Sequence, residues 1–432
     1  MKFTKISLVA AMLIGSSAFA IENTKVSGDA NLFYYTDDAI SGADLFDKKG
    51  AAADVAVNLN ATTDLVKNDM VSVSAGAGAT FLTTLGLENN LVGNTWGAAH
   101  TATAGTGSSF ANAPYGGVKV ENASWVTEAW IAATAGKTTV KLGRMELDTP
   151  LAFTEKWSIE KNTFEAAVAI NTDIPDTTLV GAYIGNGNGT PDRAHKVNGA
   201  DLRVSGLTRG GVVDANGQFS TYGSIGGFSG NGAYAVGAIN NSFKPLTLQA
   251  WYYDVTQVVQ AYWLQADLAC KKIPGLMAGA QYSAHELNND AKTSSDVYAF
   301  MLGFDMKDTV TLKAAYSAVG DDFAAGFNTA TGAANAQSKL YTETFWGGNF
   351  GNVTRAGAES MKFSATTPAN GIADLGVSYV SVDHEADNTD FQEIAVTASK
   401  SFGPLDATVA YVNTDNSADD SNALIAYLTV NF

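Results

Sequence analysis

The sequence predicts an all-β protein, a transmembrane antiparallel β-barrel of eighteen strands. Three observations point there: side-chain polarity alternates along segments of about ten residues, long and short connections alternate between those segments, and the chain ends on an amphipathic strand.

The strand-like segments are 25–35, 54–62, 70–82, 119–134, 138–145, 164–172, 177–184, 232–240, 246–254, 258–269, 276–285, 296–305, 309–319, 356–366, 372–383, 391–401, 406–413 and 422–432. Connections after even-numbered segments are mostly tight, as at 135–137, 173–176, 271–275, 306–308 and 403–405. Those after odd-numbered segments are mostly long: 38–50, 83–118, 146–162, 185–231, 320–355 and 414–421. A barrel with both chain ends on one side of a membrane requires this asymmetry.

Within segments the faces split. Val55, Val57, Leu59 and Ala61 oppose Asp54, Ala56, Asn58 and Asn60, and Val71, Val73, Ala75, Ala77 and Ala79 oppose Ser72, Ser74, Gly76 and Gly78. Small and polar residues on one face suit a wet lumen, whereas a sandwich core needs bulk there. Tyr34, Trp130, Trp251, Tyr252, Tyr253 and Trp263 are candidates for interfacial girdles. No apolar run after residue 20 is long enough for a membrane helix, although mean hydropathy is near zero.

At the far end, Leu424, Ala426, Leu428, Val430 and Phe432 oppose Ile425, Tyr427, Thr429 and Asn431. A last strand containing Tyr427 and closing on Phe432 resembles the sorting signal read by bacterial barrel-assembly machinery. At the start, residues 1–20 read as a signal peptide, with Lys2 and Lys5, an apolar run over 6–14, and Ala18 and Ala20 flanking Phe19. The mature chain is expected to begin at Ile21, with 21–432 forming the barrel in the bacterial outer membrane. Outer-membrane lipid, lipopolysaccharide and the assembly machinery are the expected partners.

Loss of Lys2 and Lys5 leaves 24 basic against 43 acidic side chains, a net charge of −19, which argues against nucleic acid and favours cationic solutes. Cys270 is the single cysteine, so no internal disulfide staples the chain, and it is expected to pack within a strand.

The stretch 141–177, KLGRMELDTPLAFTEKWSIEKNTFEAAVAINTDIPDT, resembles the major outer-membrane porins of epsilonproteobacteria and, more distantly, OprD-type porins. The matching pieces are GR-x-E-L-D-T-P at 143–150, N-T-F-E at 162–165 and D-I-P-D-T-T-L-V-G-A-Y at 173–183. Weaker likeness covers 26–35, 248–268 and the last strand. The resemblance implies an eighteen-stranded, trimeric barrel that passes small hydrophilic solutes by diffusion, its third outer loop folded inward. A substrate-specific channel and a surface adhesin or structural envelope protein are the alternatives. A receptor with a plug domain is disfavoured, because the chain is too short for twenty-two strands.

An inward loop filters because charges held in a narrow passage create a stronger field than in open water. The third loop carries Asp148, Glu155, Lys156, Glu160 and Lys161, and the flanking walls offer Glu128, Lys141, Arg144 and Glu165 as lumen-facing candidates for the constriction. The few arginines (144, 193, 203, 209 and 355) form no basic ladder of the kind that OprD-type carboxylate channels use. No cofactor is expected. Acidic groups at Asp383, Glu385, Asp387 and Asp390, at Asp415, Asp419 and Asp420, and at Asp321 and Asp322 have the chemistry for calcium or magnesium, with solubilising charge as the plainer reading. His100, His195, His285 and His384 sit in no G-x-S-x-G or H-E-x-x-H context, and GNGNG at 185–189 lacks the lysine of a phosphate loop, so no enzyme is expected.

Overall fold

A computed structural model describes residues 22–39, 44–83, 85–87, 91–92, 95–96, 102–103, 122–156, 158–188, 195–197, 200–202, 218–219, 228–229, 232–256, 258–288, 293–330, 336–385, 389–417 and 419–432. Eighteen strands form one sheet. They are β1 (Glu22–Asp37), β2 (Ala51–Lys67), β3 (Val71–Thr83), β4 (Asn122–Ala135), β5 (Thr138–Met145), β6 (Thr163–Asn171), β7 (Thr177–Asn188), β8 (Ala233–Asn240) and β9 (Leu246–Val255). The second half comprises β10 (Val259–Ala269), β11 (Leu276–Leu287), β12 (Ser294–Met306), β13 (Val310–Val319), β14 (Ala358–Thr367), β15 (Asp374–His384), β16 (Thr389–Phe402), β17 (Leu405–Asn416) and β18 (Asp419–Asn431). Each strand pairs antiparallel with the next. β18 then returns to β1, with Asp29 opposite Asn431 and Asp37 opposite Ala423, so the sheet closes into a barrel.

All eighteen expected strands are present, and β5 has the expected bounds. Ladders run on past the predicted boundaries at both ends of the barrel: β2 continues to Lys67, beyond the expected 54–62, and β7 to Asn188, beyond the expected 177–184. β17 and β18 stay paired to Asn416 opposite Asp419, so the long connection expected at 414–421 is a tight hairpin. At the opposite end the turns are short: Gly136 and Gly403 take φ of +58° and +64°, which a side chain would strain, and each opens a two-residue hairpin turn. Cys270 lies in a turn just past β10, half-buried, its N–H donating to the Leu276 carbonyl at 2.8 Å. The expected place inside a strand is therefore corrected.

The strands form because their alternation suits a sheet with unlike faces. On β12, Tyr298, Phe300, Leu302, Phe304 and Met306 point outward and are exposed, while Val297 and Ala299 point inward and are buried. The same division holds on β18, where Leu428 and Val430 are exposed and Ile425 is buried. The largest buried side chains, among them Trp263, Tyr253, Phe33 and Phe164, lie on inward rows. The girdle expectation is thus corrected in part: Tyr34 and Tyr252 stand on outward rows, but Trp130, Trp251, Tyr253 and Trp263 face the lumen. Glycines seat two of these rings. A Cβ on Gly76 would come 2.4 Å from Trp130, and one on Gly237 would come 2.2 Å from Trp251.

The closing seam is tight at its turn end. Gly28 N–H donates to the Phe432 carbonyl at 2.8 Å, and Phe432 N–H donates back at 2.9 Å. A Cβ on Gly28 would meet the Asn58 carbonyl at 2.4 Å and the Phe432 ring at 2.7 Å. Gly28→Val is therefore expected to destabilise the barrel by about 1–3 kcal/mol, seen as a lower fraction of compact, SDS-resistant barrel on unheated gels. Wild-type resistance in that variant would show that the seam tolerates bulk.

Candidate functional site

The third loop, described over 146–156 and 158–162, turns into the lumen. Asp148 bridges to Phe153, and Thr154 N–H donates to the Leu147 carbonyl at 2.8 Å, which makes a compact tongue. Leu147 and Leu151 at its tip are buried in a cluster with Met145, Trp251 and Trp263, and Leu151 N–H reaches the Tyr253 hydroxyl at 3.3 Å. The other end docks on the β1–β2 wall. There Asn31 donates to Glu160 at 3.1 Å, and Asn58 donates to both carboxylate oxygens at 3.1 and 3.0 Å. Burial pushes the Glu160 carboxyl up, partly offset by the two amides and Lys156.

The described parts of the seventh loop, residues 320–330 and 336–357, also fold inward, and this was not legible as a constriction from the sequence. Trp346 stacks on Tyr35 with centroids 4.8 Å apart. The Glu393 carboxylate on β16 accepts from Phe345 N–H at 2.5 Å, Trp346 N–H at 3.1 Å and the Asn349 amide at 2.7 Å. On the facing wall, Tyr341 donates to Asp267 at 2.5 Å, and Gln281 exchanges hydrogen bonds with the Lys339 carbonyl and Tyr341 N–H. Burial and Asp267 both push the Tyr341 phenol up. Glu343 accepts from Ser338 N–H at 2.6 Å, Thr344 N–H at 2.8 Å and the Thr344 hydroxyl at 3.0 Å, yet burial still raises it to about 7.

The two loops are joined across the lumen. Asn328 donates to the Phe153 carbonyl and to Glu155 Oε1, both at 2.8 Å, and Gln337 N–H donates to the same oxygen at 3.2 Å. Thr329 gives both its N–H and its hydroxyl to the Leu151 carbonyl, at 2.8 and 2.6 Å. Lys339 pairs with Asp148 and lies 4.9 Å from the Phe153 ring centroid.

The expected constriction residues divide among different places. Glu155 and Glu160 are buried anchors. Lys156 is exposed to the lumen, 5.6 Å from the Tyr427 ring, and the surrounding walls hold its ammonium below the usual lysine range. The Asp148 side chain is 92% exposed. Glu128 accepts from Trp130 Nε1 at 2.8 Å, and Lys141 sits 4.2 Å over the Trp130 ring, so these form a second charged group on the β4–β5 wall. Lys161 pairs with Glu146 at 3.1 Å at the base of the tongue. Arg144 and Glu165 pair at 2.8 Å, but the register puts them on the row of Leu142 and Ala167, which faces outward, not into the lumen. Tyr427 faces the lumen against Phe33, and Phe432 points out, 63% exposed.

Lys339, Glu343, Lys362 and Asp267 were missed by sequence reasoning. For Lys339 and Glu343, the signal that could have found them is the aromatic content of the seventh loop, which carries Phe327, Tyr341, Phe345, Trp346 and Phe350 among its glycines and asparagines. Among the described residues, no three acidic, histidine or cysteine side chains gather as a metal site. Asp383 faces Asp390, and Asp415 faces Asp420, as register pairs on outward rows; Asp387 lies outside the described residues, as do His100, Arg193, Arg203, Arg209 and the segment 1–21.

No protein-family model matches the chain, and no curated protein matches it. Among solved structures it is similar to OpdK of Pseudomonas aeruginosa, crystallised with vanillate, at 14% identity and a TM-score of 0.68, covering 95% of this chain and 99% of that one. OccK8 (OprE) of the same organism gives 15% identity and a TM-score of 0.70 over 96% and 100% of the two chains. OccAB4 of Acinetobacter baumannii gives 10% and 0.69 over 96% and 99%. Across nearly its whole length, the chain therefore shares the barrel fold of these Pseudomonas and Acinetobacter proteins.

Proposed function

We propose that the protein is an outer-membrane porin, a non-enzymatic passage through which small hydrophilic solutes diffuse, with a preference for cations. One observation carries the reading: the loops that fill the lumen are pinned to its walls by buried groups, yet Asp148 and Lys156 between them remain open to water. Charged side chains in such a passage favour hydrated polar solutes over apolar ones. The outward band of exposed apolar residues supports a membrane setting, and a second structure of OpdK is described as that of an outer membrane protein. The likeness to epsilonproteobacterial porins belongs to the same reading, as do export by the segment 1–20, barrel assembly through the terminal Phe432, contact with lipopolysaccharide and a trimeric state. Outward alanines at 75, 77 and 79 on β3 support close approach of a second barrel there.

Cation preference rests on the overall acidic excess, because the lumen itself is mixed: Lys141, Lys156, Lys313 and Lys362 stand with Asp29, Glu128, Asp148 and Asp267. In planar bilayers the purified protein is expected to give stepwise ohmic conductance, and a potassium chloride gradient to give a reversal potential of cation-selective sign. Absence of steps would sink the porin; an anion-selective sign would keep the pore and overturn the charge argument. Asp148→Asn should leave Lys339 unpaired at the passage and shift selectivity toward anions, by less than about fivefold in permeability ratio given screening. Neutralising the buried Glu155 by Glu155→Ala should instead act through structure. It removes the carboxylate acceptor of Gln337 N–H and one of the two acceptors of the Asn328 amide, costs about 1.5–3 kcal/mol of loop docking, and should appear as noisier open-channel current with little change in reversal potential.

A further inference from the structure

The seventh loop is held to the wall by a buried histidine at each of its two limbs. On the first limb, Gly326 N–H donates to His285 Nε2 at 3.1 Å, and the Phe327 ring lies 5.1 Å from the imidazole. On the second, His384 Nε2 lies 2.9 Å from the Asn352 carbonyl. Both rings stand on inward rows, His285 on β11 and His384 on β15, with next to no exposure.

The two contacts respond oppositely to a proton. A backbone N–H can only donate, so His285 Nε2 must be bare and its proton must sit on Nδ1. That Nδ1 is buried without a hydrogen-bond partner among the described residues. Protonating the ring would turn the acceptor into a donor aimed at Gly326 N–H. It would also place a charge beside Phe327, which belongs to an apolar cluster with Val259, Leu287 and Ala336. A carbonyl can only accept, so His384 Nε2 is the donor to Asn352 and that bond keeps its polarity in either charge state of the ring, although its Nδ1, like that of His285, is buried without a hydrogen-bond partner among the described residues.

Among the described residues, no charged side chain offsets the change at His285. Its register neighbours are Ala261 on β10 and Ser295 on β12, Glu286 and Asp296 sit on outward rows, and Asp321 and Asp322 upstream of Gly326 are exposed. The titratable groups that face the rest of the loop include Asp148 and Glu155 from the third loop, Asp267 on β10, Lys362 on β14 and Glu393 on β16, with Lys339 and Glu343 in the loop itself.

We propose that the seventh loop is an acid-released flap, in which protonation of His285 frees the first limb while His384 holds the second as a hinge. Asn328 and Thr329, which carry most of the bonds to the third loop, lie two and three residues after Gly326, so releasing the first limb also frees the tongue that narrows the lumen. The consequence for conduction rests on the pore reading above; the release itself does not.

The test compares hydrogen exchange and single-channel current in the purified full chain between pH ~7 and pH ~4.5. Below about pH 6.5, protection of peptides covering 322–330 is expected to fall by up to about tenfold per pH unit after correction for intrinsic rates, while 350–356 stays protected. Open-channel current should turn from steady to flickering over the same range. His285→Gln keeps an acceptor for Gly326 and cannot be protonated, so it should abolish both responses; His384→Gln should keep them. Equal loss of protection in both limbs of the wild type, which needs no variant, would overturn the flap. So would a pH response that survives His285→Gln, or one that disappears in Glu343→Gln. If no current steps appear at any pH, the pore reading fails and the exchange contrast alone decides the flap.

Discussion

A closed sheet that turns an apolar face outward must satisfy its peptide groups within the sheet itself, and every other feature of this chain depends on that constraint. Each inner strand must be paired on both sides, and the two outermost must find each other. β1 and β18 do so through the ladder from Asp29 opposite Asn431 to Asp37 opposite Ala423. The closed ladder fixes register, and register decides which side chains face out and which face in.

Turning the apolar residues outward empties the usual place for a core. The interior is then filled from the loops, whose apolar tips reach residues that the wall alone would leave wet. Leu151 of the third loop and Leu340 and Val353 of the seventh join Trp251, Tyr253 and Trp263 in one cluster. Buried carboxylates fix these loops more than ion pairs do. Glu155, Glu160 and Glu393 each collect two or more N–H donors, and charge-assisted bonds of this kind exceed neutral ones in strength.

Period-2 alternation made the strands legible, because a barrel strand is read residue by residue from its two solvents. It also should have separated Lys141 from Arg144. Residues three apart on a strand face opposite sides, so both could not line the lumen, and the register sends Arg144 outward with Glu165. The inward third loop was legible only through resemblance, since nothing in its spacing says which way a loop turns. The seventh loop was missed because alternation describes a wall and is silent on what returns to cover it. Its aromatic residues were the available clue: exposed on an outer loop they would be costly, and Trp346 against Tyr35 shows where they go.

The seam has a kinetic side. Asp29 and Asn431, which face each other there, lie at opposite ends of the sequence, whereas every other neighbouring pair of strands is joined by a single connection. Hairpins can therefore form one after another, but closure must wait until the last has arrived, and until then two unpaired edges remain open to other chains. The contact that completes the fold is thus the one with the longest search, which puts the period of greatest exposure to misassembly at the end of folding.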